Sequence, residues 1–89
     1  MRTFADPTGR LWTATAREES TPRHHGRWHL VFHPENADEP VLAMPEVRWQ
    51  SRRSAERTLR TMSEVELRRR LAIVRGRANG SVDAGAKSA

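Results

Sequence analysis

The chain predicts an α+β fold, a small antiparallel three- to four-stranded meander followed by two C-terminal helices packed on one face of the sheet. The prediction rests on three features. Apolar residues alternate with period two through the first half, a capping box stands at Ser63 and Glu66, and nine of the fifteen arginines lie between Ser51 and Arg77. A chain of 89 residues makes one domain, expected over residues 1–77, and the small, polar, unpatterned stretch 78–89 is expected to be a disordered C-terminal tail.

Asp6-Pro7-Thr8-Gly9 separates Phe4 from the run Arg10 to Arg17, and proline second with glycine fourth favours a type I turn, so a first hairpin is expected. On its second strand Trp12, Ala14 and Ala16 share a face, with Trp12 assigned to the core. Glu18 to Gly26 reads as a polar connector. The clearest strand is Arg27 to His33, with Trp28, Leu30 and Phe32 on the core face and Arg27, His29, Val31 and His33 on a more polar, wet one. Pro34 ends it, and Glu35 to Pro40 forms an acidic loop. Val41 to Met44 and Glu46 to Trp49 give a fourth extended stretch, where Pro45 argues for an edge strand or a bulge.

Ser51 is an N-cap candidate for a first helix from about Arg52 to Thr61, whose apolar stripe Ala55, Leu59 and Met62 would cover the sheet. Ser63 and Glu66, flanked by Met62 and Leu67, start a second helix at Glu64. Its stripe, Leu67, Leu71 and Val74, lies roughly 120° round from the first, more than one straight helix buries against one surface, so the chain is expected to bend at Met62 and Ser63. Gly76 is the expected C′ residue, with Arg75 in the last turn.

Charge is segregated along the chain. Residues 1–50 carry six Arg against seven acids, net −1; Ser51 to Arg77 carries nine Arg against three acids, net +6; residues 78–89 are neutral with Asp83 and Lys87. A GC-rich genome explains a preference for Arg over Lys, but not this segregation. On the first helix Arg53, Arg57 and Arg60 line up along one exposed stripe opposite the apolar one, and no acid interrupts that stripe, whereas on the second Glu64 and Glu66 stand four residues before Arg68 and Arg70.

The sequence contains no nucleophile elbow, phosphate-binding glycine loop or zinc motif, and no cysteine for thiolate chemistry or disulfides. His29 and His33 share a strand face but stand about 13 Å apart, too far to hold one ion, and His24 and His25 are adjacent in a connector, so the histidines read as surface residues. The acids of the loops read as solvated surface. A non-enzymatic chain without cofactor or metal is expected. No apolar run approaches the roughly 18 residues of a membrane span, and the first residues have no signal h-region, so the chain reads as a soluble cytoplasmic protein.

The run Gly26 to Phe32, a further strand, then Trp49-x-Ser51 leading to Ala55 and Leu59 resembles, in element order, the arm-type DNA-binding domains of phage integrases. That resemblance implies a sheet laid in the DNA major groove with the helix behind it. The charge pattern differs, because here the excess of cations is on the helices.

The expected function is a small binding module whose Arg-rich helical surface contacts an anionic partner, foremost nucleic-acid phosphate. Its contact residues would be Arg52, Arg53, Arg57, Arg60, Arg69 and Arg75, with Trp49 as an aromatic among guanidinium groups. The alternative is a protein-interaction module or accessory subunit that meets an acidic protein surface and docks through Leu67, Leu71 and Val74 of its C-terminal helix. Burial of Leu67 and Leu71 within the monomer favours the first reading, and exposure the second.

Overall fold

The computed structural model describes the backbone of residues 1–21, 24–36 and 38–88, and the side-chain surroundings of residues 1–19, 27–36 and 38–78. Four strands, β1 (Arg2–Ala5), β2 (Leu11–Thr21), β3 (His24–Pro34) and β4 (Leu42–Trp49), form one antiparallel sheet in the order β1-β2-β3-β4. Two helices follow, α1 (Arg52–Thr61) and α2 (Glu64–Ser88), so the α+β meander with C-terminal helices is the fold of this chain.

The first turn forms as its residues require. Gly9 N donates to Asp6 O at 2.9 Å, closing a type I turn around Pro7 and Thr8, and Asp6 N donates to Arg10 O at 2.8 Å. Gly9 has φ +90°, the left-handed conformation that follows such a turn in a three-residue hairpin and that only glycine adopts without strain.

One face of the sheet is apolar and covered. Phe4, Trp12, Ala14, Leu30, Phe32, Leu42 and Met44 meet Leu59, Leu67, Leu71 and Val74 in a single buried core. Phe4 and Phe32 pack edge to face with ring centroids 5.9 Å apart. The register explains β4. Trp28 and His29 pair with Trp49 and Arg48, but Leu30 pairs with Met44, so Pro45, Glu46 and Val47 are looped out of the ladder. An odd insertion inverts the alternation of side chains: Leu42 and Met44 face the core before it and Trp49 after it, while Val47 within it packs partly against the core. Pro45 therefore marks both an edge strand and a bulge.

Two strand expectations are corrected. Glu18 to Gly26 is not a connector, because β2 runs to Thr21 and β3 begins at His24, with a register shift between Glu19 and Thr21; Pro22 and Arg23 lie outside the described residues. The β3 face expected to be wet is largely closed. Val31 is fully buried and His29 is 9% exposed. Val31 is the middle residue of a row, between Thr15 on β2 and Ala43 on β4 and between His29 and His33 along its own strand, so its neighbours shield it without a covering layer.

The helix starts fall at the expected residues. Ser51 caps α1, its Oγ accepting from Ser54 N at 3.1 Å, and Ser63 Oγ accepts from Glu66 N at 3.1 Å at the start of α2. Between them Met62 is extended, with φ −68° and ψ 135°, so the chain bends where the two apolar stripes required it. The helix end differs. α2 continues through Gly76 to Ser88, and Gly76 is not a C′ residue. The expectation of a disordered tail covers residues 78–89, and the side chains of 79–89 lie outside the described residues.

A Cβ built at Gly76 meets no atom within 4 Å. Gly76→Ala should therefore stabilise the protein by about 0.5–1 kcal/mol through helix propensity, read as a higher midpoint in urea. A C′ glycine in left-handed conformation would give the opposite sign, so a lowered midpoint would return the helix end to Gly76.

Candidate anion-binding surface

The arginines divide by what surrounds them. Because Ala55 and Leu59 are fully buried against the sheet, the helical repeat turns Arg53, Arg57 and Arg60 outward, and all three are exposed. Among the described residues none of the three forms an ion pair. Their spacing of four and three residues covers about 10.5 Å of helix axis. The first turn of α1 contains no acid, and its last turn contains Arg60. Arg2, from the start of β1, donates from Nη1 to the Arg60 carbonyl at 2.9 Å and brings a further cation to the C-terminal end of the helix.

The remaining candidates are more committed. Arg52 pairs with Glu56 at 3.1 Å, and Arg69 lies 3.8 Å from Glu66; both guanidinium groups are largely exposed, but each has an acid as a neighbour. Arg75 is drawn inward. Its Nη1 lies 3.3 Å from Asp6 Oδ2, its Nη2 3.5 Å from Glu39 Oε2, and its Cζ 5.4 Å from the centre of the Trp12 ring. Arg75 thus holds the fold together instead of extending the patch. Trp49 is likewise not an open stacking platform, because its half-buried ring packs against the core and its Nε1 donates to Thr58 Oγ1 of α1 at 3.1 Å. Leu67, Leu71 and Val74, the proposed docking stripe, are buried at 0, 1 and 5% exposure, so the surface that they would have offered to a partner is inside the monomer.

Other α2 cations are also engaged. Arg68 donates from Nε to Ala5 O at 2.8 Å and pairs with Glu64, Arg70 pairs with Glu66 at 3.0 Å, and Arg77 pairs with Glu46 in the β4 bulge. The Glu46 carboxyl is held below its ordinary range, first by its own backbone N–H and then by Arg77. Arg10 pairs with Glu39, closing a chain of contacts that runs back to Arg75.

Asp6 is a buried anchor that the sequence analysis read only as a turn residue. Its Oδ1 accepts from Thr8 N at 2.9 Å, Thr8 Oγ1 at 2.6 Å and Arg10 N at 3.0 Å, and its Oδ2 accepts from Trp12 Nε1 at 3.0 Å. Burial by itself would raise the carboxyl pKa, but the bonds from Thr8, Trp12 and Arg10 outweigh it and lower the value from 3.8 to about 2. The Asp-x-Thr spacing, an Asx-turn pattern, was the local signal for this role.

Among the described residues His29 and His33 each meet a single polar neighbour. His33 Nε2 and Thr15 Oγ1 are 3.0 Å apart, His29 Nδ1 lies 3.6 Å from Glu19 Oε1, and no group of three or more ligating side chains gathers among the described residues. His24 and His25 have side chains outside the described residues. No helix is long and apolar enough to cross a membrane among the described residues.

Because the folded pKa of Asp6 is depressed, its ionised form contributes stability that is fully present above the unfolded value of 3.8 and is lost as pH falls through about 2. Asp6→Asn should cost about 1–3 kcal/mol at neutral pH, since a charged acceptor of several buried donors is replaced by a weaker one, and should flatten the acid limb of stability in that window. Urea midpoints of both proteins across acidic pH check it; parallel curves would remove Asp6 from this role. Comparison with protein-family models, with curated proteins and with solved structures finds no match to this chain.

Proposed function

We propose that this chain is a non-enzymatic binding module, acting in the cytoplasm, that grips the backbone of a nucleic acid with the outer face of α1. The observation that carries the reading is the stripe of Arg53, Arg57 and Arg60, exposed, without an ion pair among the described residues and set on a rigid helix whose other side is locked in the core. A surface guanidinium paired with an acid has already spent its charge within the fold; among the described residues none of these three is so paired, Glu56 being taken by Arg52. Over the length of the stripe one strand of duplex DNA presents about three phosphates, so one fork-like contact per arginine fits the spacing. Arg52 and Arg69, each beside a glutamate, add to the field rather than to the contact. Such contacts give affinity and position with little reading of sequence.

The docking alternative loses its motive, because the apolar stripe of α2 is covered by the sheet of its own chain. An acidic protein surface meeting α1 would use the same arginines, and the experiment separates it from nucleic acid.

Fluorescence anisotropy with duplex and single-stranded probes at about 0.15 M salt, where surface charge is screened beyond roughly 8 Å, is the test. Binding should weaken with salt at a log–log slope of about −0.9 per phosphate contact on duplex DNA. Reversing Arg53, Arg57 and Arg60 together to Glu should abolish it, Arg69→Glu should weaken it a few-fold, and Arg17→Glu on the sheet should leave it nearly unchanged. Absence of binding by the unaltered protein at that ionic strength, up to high micromolar concentration, would overturn the nucleic-acid reading.

A further inference from the structure

We propose that the ligand held by the outer face of α1 is a duplex rather than a single strand, and that Arg2 adds a fourth guanidinium group to the contact; this rests on the nucleic-acid reading above. Three features of the fold carry it: a rigid spacing of cations, an inward-turned set of aromatic rings and a covered helix end.

Arg53, Arg57 and Arg60 are rooted on one helix of 10 residues, Arg52–Thr61, which is fixed to the sheet through the fully buried Ala55 and Leu59. At about 1.5 Å of rise per residue their roots stand about 6 Å and 4.5 Å apart along the axis. A duplex holds its own phosphates at a fixed spacing, about 3.4 Å of axis per phosphate on each strand, so a rigid row meets a rigid row and neither side has to be ordered by the contact. A single strand would have to be straightened against the same row, which opposes binding through lost conformational freedom. The outer side of a helix is also convex, whereas a flexible backbone is tracked by a groove.

Proteins that hold single strands gain from bases stacked on aromatic side chains. This chain has two Phe and three Trp, all among the described residues, and their rings are turned to the core face of the sheet. Phe4, Trp12 and Phe32 are buried at 2, 1 and 0% exposure, and Trp28 and Trp49 stand directly across from each other on β3 and β4, both half-buried. The contact at α1 is therefore one of charge with charge. For such a contact the duplex is the stronger partner, since its affinity changes with salt at a log–log slope of about −0.9 per contact against about −0.7 for a single strand.

The C-terminal end of α1 would by itself repel phosphate, because its last carbonyl groups form the negative end of the helix dipole. Here those groups are engaged. Thr58 O accepts from Met62 N at 2.8 Å, Arg57 O from Thr61 Oγ1 at 3.0 Å and Arg60 O from Arg2 Nη1 at 2.9 Å. The last of these bonds occupies only part of the donor fork of Arg2, which forms no ion pair among the described residues. Arg2 thus replaces a repulsive helix end by a cation and extends the row of Arg53, Arg57 and Arg60 to four.

The test is fluorescence anisotropy with a short blunt duplex and each of its separated strands, in a salt titration that includes about 0.15 M. The duplex should bind about tenfold tighter than either strand, with a log–log salt slope of about −3.6 for four contacts. Arg2→Ala should bring that slope to about −2.7. In the isotope-labelled unaltered chain the Arg2 Nε–H resonance should shift on addition of the duplex, which reads the same contact should the variant fail to fold. Binding of the separated strands as tight as that of the duplex would overturn the duplex assignment and leave the nucleic-acid reading standing, whereas no binding of any probe would overturn both. An unchanged slope in Arg2→Ala, or an Arg2 resonance unmoved by the duplex, would overturn the place of Arg2 in the row.

Discussion

The carboxylate of Asp6 is the contact on which the arrangement of this small protein depends. Five donors converge on it, from Thr8 N and Oγ1, Arg10 N, Trp12 Nε1 and Arg75 Nη1. Each belongs to a different structural need. The bond from Thr8 N shapes the turn, the bond from Arg10 N satisfies an amide that the Gly9 bulge removes from the ladder, and the bond from Trp12 fixes the largest ring of the core. Arg75 then ties α2 to the opposite end of the chain. Stripping water from an ionised carboxylate costs several kcal/mol, and only a fully satisfied set of partners sustains it at 3% exposure. The same group therefore couples turn geometry, ring position and helix docking, so that loss of one loosens the others.

Arg75 extends this network outward. It lies over the Trp12 ring and reaches Glu39, which also holds Arg10, so the loop between β3 and β4 is bound to the first hairpin and to α2 at one place. The acidic loop serves the fold through Glu39, while the cations of α2 serve it through Ala5 O, Glu66 and Glu46. Charge counting along the chain places the whole +6 of residues 51–77 in one patch. In three dimensions that charge splits into guanidinium groups consumed by internal contacts, mostly on α2, and the free stripe on α1.

The two edge strands are protected in different ways. β4 is interrupted by Pro45 and its bulge, which leave no regular ladder to extend, and Ala5 O on the outer side of β1 is taken by Arg68.

Local sequence determined the elements whose causes are local. The turn at Asp6 to Gly9, the caps at Ser51 and Ser63, the bend between the helices, the apolar face of β3 and the outward direction of Arg53, Arg57 and Arg60 all follow from spacing and side-chain chemistry within a few residues. Gly76 shows the limit of such reasoning: glycine often ends a helix, but the backbone passes through it as helix. Only the tertiary structure decided which arginines are free, because Asp6 and Glu39 reach Arg75 across 69 and 36 positions of sequence. It also decided that Val31 is shielded by its cross-strand neighbours and that Trp49 turns inward through an odd-numbered bulge. These are matters of register and of distant partners. Composition and periodicity carry neither, because a side chain's surroundings are set by which strands align and where each one stops.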